Sequence, residues 1–259
     1  MRGFVTAFRT LSSIPLPGKD AEEFSDALVW FPVVGLVLGS LVVVVAKLMV
    51  LIFGVHWPEG IAILCVSLTV FLTRGFHLDG IADWADGFWA GYTPEKILMI
   101  MKDSFLGTFG VVALILVLVT KWIAITKLLE IDRVEWIIAA FIISRTLQVE
   151  QAVCLPYARA EGTAGPFLKN AGQRHRWIAH LLALAMLIFL FNISGVIYWL
   201  ICAMAIKGFG TWCLKKVGGI TGDLLGTGSE LIELLVMFSV VFVPADWLAT
   251  YIFIVGFLQ

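Results

Sequence analysis

Three long stretches without a charged side chain limit what this chain can fold into. Twenty residues from Ala27 to Ala46, 17 from Ser104 to Thr120 and 30 from Trp177 to Ile206 contain no Asp, Glu, Lys or Arg. A helix needs about 20 apolar residues to cross the hydrocarbon of a bilayer, and soluble cores do not need such runs. The longest run has room for a helical hairpin. Composition agrees, with 60% of the 259 residues hydrophobic, 14% charged and a mean hydropathy of +0.98. The chain therefore reads as an all-α, polytopic integral membrane helical bundle.

Spans are predicted at 28–54, 58–76, 107–126, 134–155, 177–193, 195–213 and 230–258, about seven transmembrane helices, with Pro244 and Asp246 interrupting the last. Neither a low-complexity linker nor a second soluble domain interrupts them, so residues 1–259 are one membrane domain and function must reside in the bundle and its loops. Arg2, Arg9 and Lys19, then Arg74, Lys96 and Lys102, then Arg159, Lys169, Arg174 and Arg176, then Lys215 and Lys216 fall on one side if the N-terminus is cytoplasmic. The opposite turns carry only Lys127 and Arg133. This asymmetry places the N-terminus and the polar loops on the cytoplasmic side of the membrane. No apolar run of signal-peptide length opens the chain. Phe4, Phe8 and Leu11 between Arg2 and Arg9 suit either a helix lying in the interface plane or a simple packing helix. The net charge of −1 argues against a nucleic-acid partner. Cys65, Cys154, Cys202 and Cys213 are scattered, which signals neither a disulfide framework nor a zinc site.

Chemistry concentrates in GFHLDGIADWADG, residues 75–87. If the stretch is helical, Asp79, Asp83 and Asp86 lie inside an arc of roughly 60° while Ile81, Trp84 and Ala85 face away. Three like charges on one face call for a cation, and oxygen-only ligands favour Mg²⁺ or Ca²⁺. A solvated acidic loop is the bland alternative. Asp103 is a further carboxylate candidate for the metal, or with Ser104 a cap for the next helix. Lys102 is a candidate phosphate contact or a snorkelling interfacial lysine. His77, beside Asp79, is either a general base or substrate ligand, or a structural histidine. Arg145 falls inside a span, where an ionisable residue marks function by default. Its partner is an aspartate of the cluster, a substrate phosphate oxygen or Glu150. Arg159, Lys169, Arg174, His175 and Arg176 offer grips on an anionic substrate, or serve topology and lipid headgroups. The glycine-rich stretch VGGITGDLLGTGSELIE, residues 217–233, with Glu230 and Glu233 opening the last helix, can hold phosphate on backbone N–H groups around Gly222, and Asp223 can add a metal ligand. No P-loop and no Ser/His/Asp triad is present. Gly35 and Gly39 form a G-x-x-x-G that reads as a helix-packing face.

The set of motifs resembles the cobalamin synthase family, the adenosylcobinamide-GDP ribazoletransferases. The pieces are SSIPLP at 12–17, WFPVVGLVLG at 30–39, GFHLDGIADWADG at 75–87, MKDSFLGTFGVVAL at 101–114, SR at 144–145, LPYARAEGTAG at 155–165 and TGDLLG at 221–226, in family order. The resemblance implies a Mg²⁺-dependent membrane transferase that completes the nucleotide loop of vitamin B12. Adenosylcobinamide-GDP and α-ribazole, or its 5′-phosphate, give adenosylcobalamin, or its 5′-phosphate, and GMP. Asp79, Asp83 and Asp86 match the family's acidic motif, Asp103 its second acidic motif and Asp223 its TGD turn. The implied setting is a bacterial or archaeal cytoplasmic (inner) membrane. On the chemistry of the residues, the candidate catalytic groups are His77, Asp79 and Arg145, the candidate substrate contacts Lys102, Arg159, Arg174 and Gly222, and the candidate metal ligands Asp79, Asp83, Asp86, Asp103 and Asp223. The resemblance leaves open a homo-oligomer or a complex with other cobalamin-pathway enzymes. Two other classes stay open from the residues alone, a different phosphoalcohol or prenyl transferase and a transporter. The acids cluster at one face rather than at the midplane, where transporter sites lie.

Overall fold

The computed structural model describes residues 1–54, 56–244 and 247–248. Within them the chain forms ten helices: α1 Arg2–Leu11, α2 Phe31–Phe53, α3 Pro58–Thr73, α4 Phe76–Ala90, α5 Pro94–Ile100, α6 Thr108–Glu130, α7 Trp136–Cys154, α8 Gly165–Leu168, α9 Gln173–Val217 and α10 Gly222–Val240. A 3-10 turn, Phe24–Trp30, leads into α2. Extended pairing among the described residues is limited to one parallel bridge between Tyr157 and Ile220. Four helices, α9 counted once, are long and apolar enough to cross a membrane, or up to five if the bent pair α3–α4 is one span, so the expected count of about seven is not confirmed among the described residues. The predicted span 230–258 is described as helix only to Val240, and residues 249–259 lie outside the described residues.

The hub is α7, buried on nearly every side from Trp136 to Ala152. Its first eight residues, Trp136 to Ile143, carry no charged side chain, which suits a helix at the centre of a bundle. α2 reaches it backbone to backbone through the G-x-x-x-G. A Cβ on Gly35 would stand 2.8 Å from the carbonyl carbon of Phe141, and one on Gly39 2.8 Å from Cα of Ile138. The packing role expected of these glycines is the one they have.

α9 is two arms. Asn192 leaves helical geometry at φ 58° and ψ −149°, and the ring of His180 lies 5.3 Å from that of Trp199. In a straight helix those residues would stand about 28 Å apart. Trp136 packs on both arms, with ring centroids 4.9 Å from Phe191 and from Tyr198. Gly195 permits the reversal, since a Cβ there would meet the Leu187 carbonyl oxygen at 2.9 Å. The hairpin expected from the 30-residue uncharged run is therefore present.

A second bend positions the acidic residues. Arg74 and Gly75 are both left-handed, at φ 55° and 65°, and they turn α4 by 90° from the line of α3. Glycine takes this conformation freely, whereas arginine enters it at a cost. We read α4 as lying outside the spanning segments.

Candidate active site

α4 is helical through Gly80, so Asp79, Asp83 and Asp86 share one helix as the spacing predicts. α10 brings a further carboxylate to it. Thr221 caps α10, its Oγ1 accepting from the Leu224 amide at 3.2 Å, which sets Asp223 in the first turn. The two helices cross where side chains are small. A Cβ on Gly80 would lie 3.0 Å from Cα of Asp223 and closer still to its carbonyl oxygen, and Gly226 faces Cα of His77. Thr227 Oγ1 donates to the Gly80 carbonyl at 2.8 Å.

This contact sets Asp79 and Asp83 against Asp223. Burial, reinforced by the carboxylates of Asp223 and Asp79, pushes Asp83 up to about 7. Burial also raises Asp223, against the pull of Arg159. Arg159 Nη1 lies 2.8 Å from Asp223 Oδ2, and its Nη2 donates to the Met101 carbonyl at 3.2 Å. The loop carrying Arg159 is fastened to the α10 turn, with Ala158 N donating to Ile220 O at 2.9 Å and Ile220 N to Pro156 O at 2.8 Å. Arg159 is thus brought to the cluster as its counter-charge.

The other expected site residues divide. Asp86 accepts from Gly107 N at 2.7 Å and Gly110 N at 2.9 Å, so both oxygens cap the N-terminus of α6. That is the task expected of Asp103 and Ser104. Asp103 instead closes a local turn, accepting from Phe105 N at 3.1 Å, and stands exposed in the loop before α6. Among the described residues, no three His, Cys, Asp or Glu side chains are close enough together to hold a metal unaided. At the α4–α10 crossing the charges of Asp79 and Asp223 bear on Asp83, and that of Asp79 on Asp223.

Arg145 requires a correction, because it reaches neither the cluster nor Glu150. It is 0% exposed, pairs with Glu233 at 2.7 Å and bonds to Ser229. Lys121 completes the group at 2.6 Å from Glu230 and 2.7 Å from Glu233. Two cations and two anions neutralise one another inside the bundle, which is how buried charge is tolerated. Glu150 takes Arg176, at 2.5 and 2.9 Å, and His180, at 2.8 Å. Arg174 lies elsewhere too, in a separate cleft of about 400 Å³ with Met1, Arg2 and Asp26. Lys102 is exposed beyond α5 and does not line the cavity described next.

A cavity of about 760 Å³ adjoins the cluster. Asp79, Arg74, Thr163 and Gly222 line its polar side, and Leu28, Phe31, Leu114 and Phe167 are among its apolar walls. His77 and Gln148 also line it. His77 is 1% exposed, with Nε2 3.1 Å from Gln148 Nε2, so its ring is enclosed rather than free in solvent. Gln148, Thr163 and Lys121 were not singled out from the sequence. Gln148 and Lys121 carried the same signal as Arg145, a polar side chain within a predicted span.

The family model described as cobalamin-5-phosphate synthase matches residues 3–241. The chain belongs to the cobalamin-5-phosphate synthase family. It is 46% identical over 246 residues to the adenosylcobinamide-GDP ribazoletransferase of Chlorobium phaeobacteroides, covering 93% of this chain and 98% of that one. The protein of that name from Chlorobaculum tepidum is 44% identical, over 90% of this chain and 92% of its own. That from Syntrophobacter fumaroxidans is 34% identical, over 91% and 95%. No solved structure matches the chain. The family match spans every element of the site, from the end of α1 through α4 to Glu233 on α10.

Proposed function

We propose that this member of the cobalamin-5-phosphate synthase family joins adenosylcobinamide-GDP to α-ribazole, or its 5′-phosphate, and releases GMP. The observation that carries the reading is the α4–α10 crossing, which gathers Asp79, Asp83 and Asp223 beside a cavity large enough for a nucleoside. The names of the relatives, aligned over nine-tenths of both chains, support it.

The donor set fits Mg²⁺. All donors are carboxylate oxygens, burial and then the charges of Asp223 and Asp79 raise Asp83, and among the described residues Arg159 alone offsets them through a direct ion pair. Mg²⁺ commonly rests on one or two carboxylates with substrate phosphates completing its shell. Asp83 and Asp223 would hold it, with Asp79 beside them. When bound, the ion supplies charge neutralisation to the diphosphate and its leaving group. The ribose hydroxyl of the acceptor loses its proton to Asp79, the carboxylate that also lines the cavity. Its oxygen bonds to the phosphorus attached to cobinamide, and the bond from that phosphorus to the bridging oxygen breaks, so GMP leaves with the electron pair. Gly222, at the first turn of α10, directs backbone N–H toward the anionic group. Arg159 holds Asp223 in place. The lysines and arginines grouped on one side of the spans support a cytoplasmic N-terminus and a cytoplasmic acidic face, where a nucleotide substrate arrives.

Asp83→Asn tests the reading. It should abolish GMP release while the purified protein keeps its melting temperature. Near-normal Mg²⁺-dependent turnover in that variant would remove the carboxylate group from the mechanism.

A further inference from the structure

Lys121, Arg145, Glu230 and Glu233 form a closed group of charges that the phosphoryl transfer does not touch. Lys121 stands midway along α6 and Arg145 midway along α7, two helices long and apolar enough to span the membrane, and all four side chains are buried. A buried group of this kind adds little stability over packed apolar side chains, so its use lies in favouring one arrangement of the helices. The helix whose placement matters most is α10, because its first turn carries Asp223.

Apolar contact alone does not choose the face that α10 turns to its neighbours. Below Glu230 it carries Leu231, Ile232, Leu234, Leu235, Val236 and Met237, which at 100° per residue point to every side. Beside helices in lipid the choice is weaker still, since hydrocarbon and leucine are equally apolar. The polar residues decide it. Asp223, Thr227 and Glu230 fall within an arc of about 60° on α10. Thr227 donates to the Gly80 carbonyl of α4, and about 10 Å along the axis from Asp223 Glu230 pairs with Lys121 of α6. The N-terminus of α6 is itself tied to α4, through the Asp86 carboxylate. Arg145 holds Glu233 from α7. One such pair is a pivot; a second, to a different helix, removes the freedom to turn about it.

We infer that Lys121 is a positioning residue for the site, fixing through Glu230 the rotation of α10 that sets Asp223 against Asp83. Arg145 docks α10 on α7, and Lys121 sets it against α6 and thereby α4.

The test uses the full chain in nanodiscs. Lys121→Met combined with Glu230→Met removes one charge of each sign and leaves Arg145 with Glu233, so the group stays balanced. Apolar replacement of a buried pair at similar volume is neutral or stabilising, and the melting temperature should be at or above that of wild type. GMP release should nonetheless fall about tenfold or more, as misplacement of reacting groups demands. A crosslink reads the same geometry without activity. A Cβ on Gly226 would lie 3.6 Å from Cβ of His77, within the spacing of a disulfide. His77→Cys with Gly226→Cys, in protein whose exposed Cys154 is changed to serine, should therefore join α4 to α10 under oxidant. Adding Lys121→Met and Glu230→Met should abolish that bond. Only the GMP readout rests on the proposed reaction. A crosslink lost with the double substitution, in protein that releases no GMP at all, would defeat the reaction and uphold the role of Lys121. Full GMP release in the double variant overturns the inference, as does a crosslink that survives in it. So does a double variant that fails to fold, which would make the charges a support of the bundle rather than a guide to α10.

Discussion

Replacing Gly80 by alanine should part α4 from α10 and slow the reaction while leaving the protein folded. The new methyl would sit 3.0 Å from Cα of Asp223, closer still to its carbonyl oxygen, and ordinary contact begins at 3.4 Å. The atoms it meets are backbone in the first turn of a capped helix, so no side chain can swing aside. The shortfall against Cα is 3.4 less 3.0, or 0.4 Å, and the carbonyl demands more. Overpacking of this kind costs about 1–3 kcal/mol. The displacement falls on the crossing that sets Asp79 and Asp83 against Asp223, and a shift near 1 Å in a reacting geometry costs about a hundredfold. The hydrogen bond from Thr227 to the Gly80 carbonyl lengthens with it. The assay is GMP release by purified Gly80→Ala beside Gly208→Ala, where an added methyl meets nothing within 4 Å. Gly208→Ala should keep full activity and gain slightly in stability. Full activity and an unshifted melting temperature in Gly80→Ala would refute the claim that this crossing sets the site.

Two further substitutions separate structural from chemical carboxylates. Asp86→Ala removes the acceptor for Gly107 N and Gly110 N and should cost about 1–2 kcal/mol of stability; a melting temperature equal to wild type would show that α6 does not depend on this cap. Glu233→Gln leaves Lys121 and Arg145 sharing one buried carboxylate, and should destabilise by about 3 kcal/mol or more in thermal unfolding. Stability close to wild type would mean that the buried charges have partners other than those seen here.

Local patterns reveal much of this architecture. Period-3.6 spacing placed Asp79, Asp83 and Asp86 on one helix, and α4 forms it. The G-x-x-x-G at Gly35 and Gly39 meets α7 as its small residues permit. The uncharged run from Trp177 contains the hairpin at Asn192. Partner choice over long separations is a different matter. Arg145 pairs with Glu233, 88 residues away, rather than with Glu150 nearby, because three-dimensional packing of α7 on α10 decides it. Asp86 caps a helix 21 residues downstream, and nothing in its own neighbourhood distinguishes that role from metal binding. Gln148 beside His77 belongs to the same class, since its partner lies 71 residues away.

The measurement that bears most directly on the proposed activity is GMP release from adenosylcobinamide-GDP by the purified protein in nanodiscs, with α-ribazole and Mg²⁺ each present or withheld. The proposed reaction gives GMP, matched mole for mole by the cobalamin product, only when both are present. GMP release without α-ribazole, or full turnover after chelation of Mg²⁺, would contradict it.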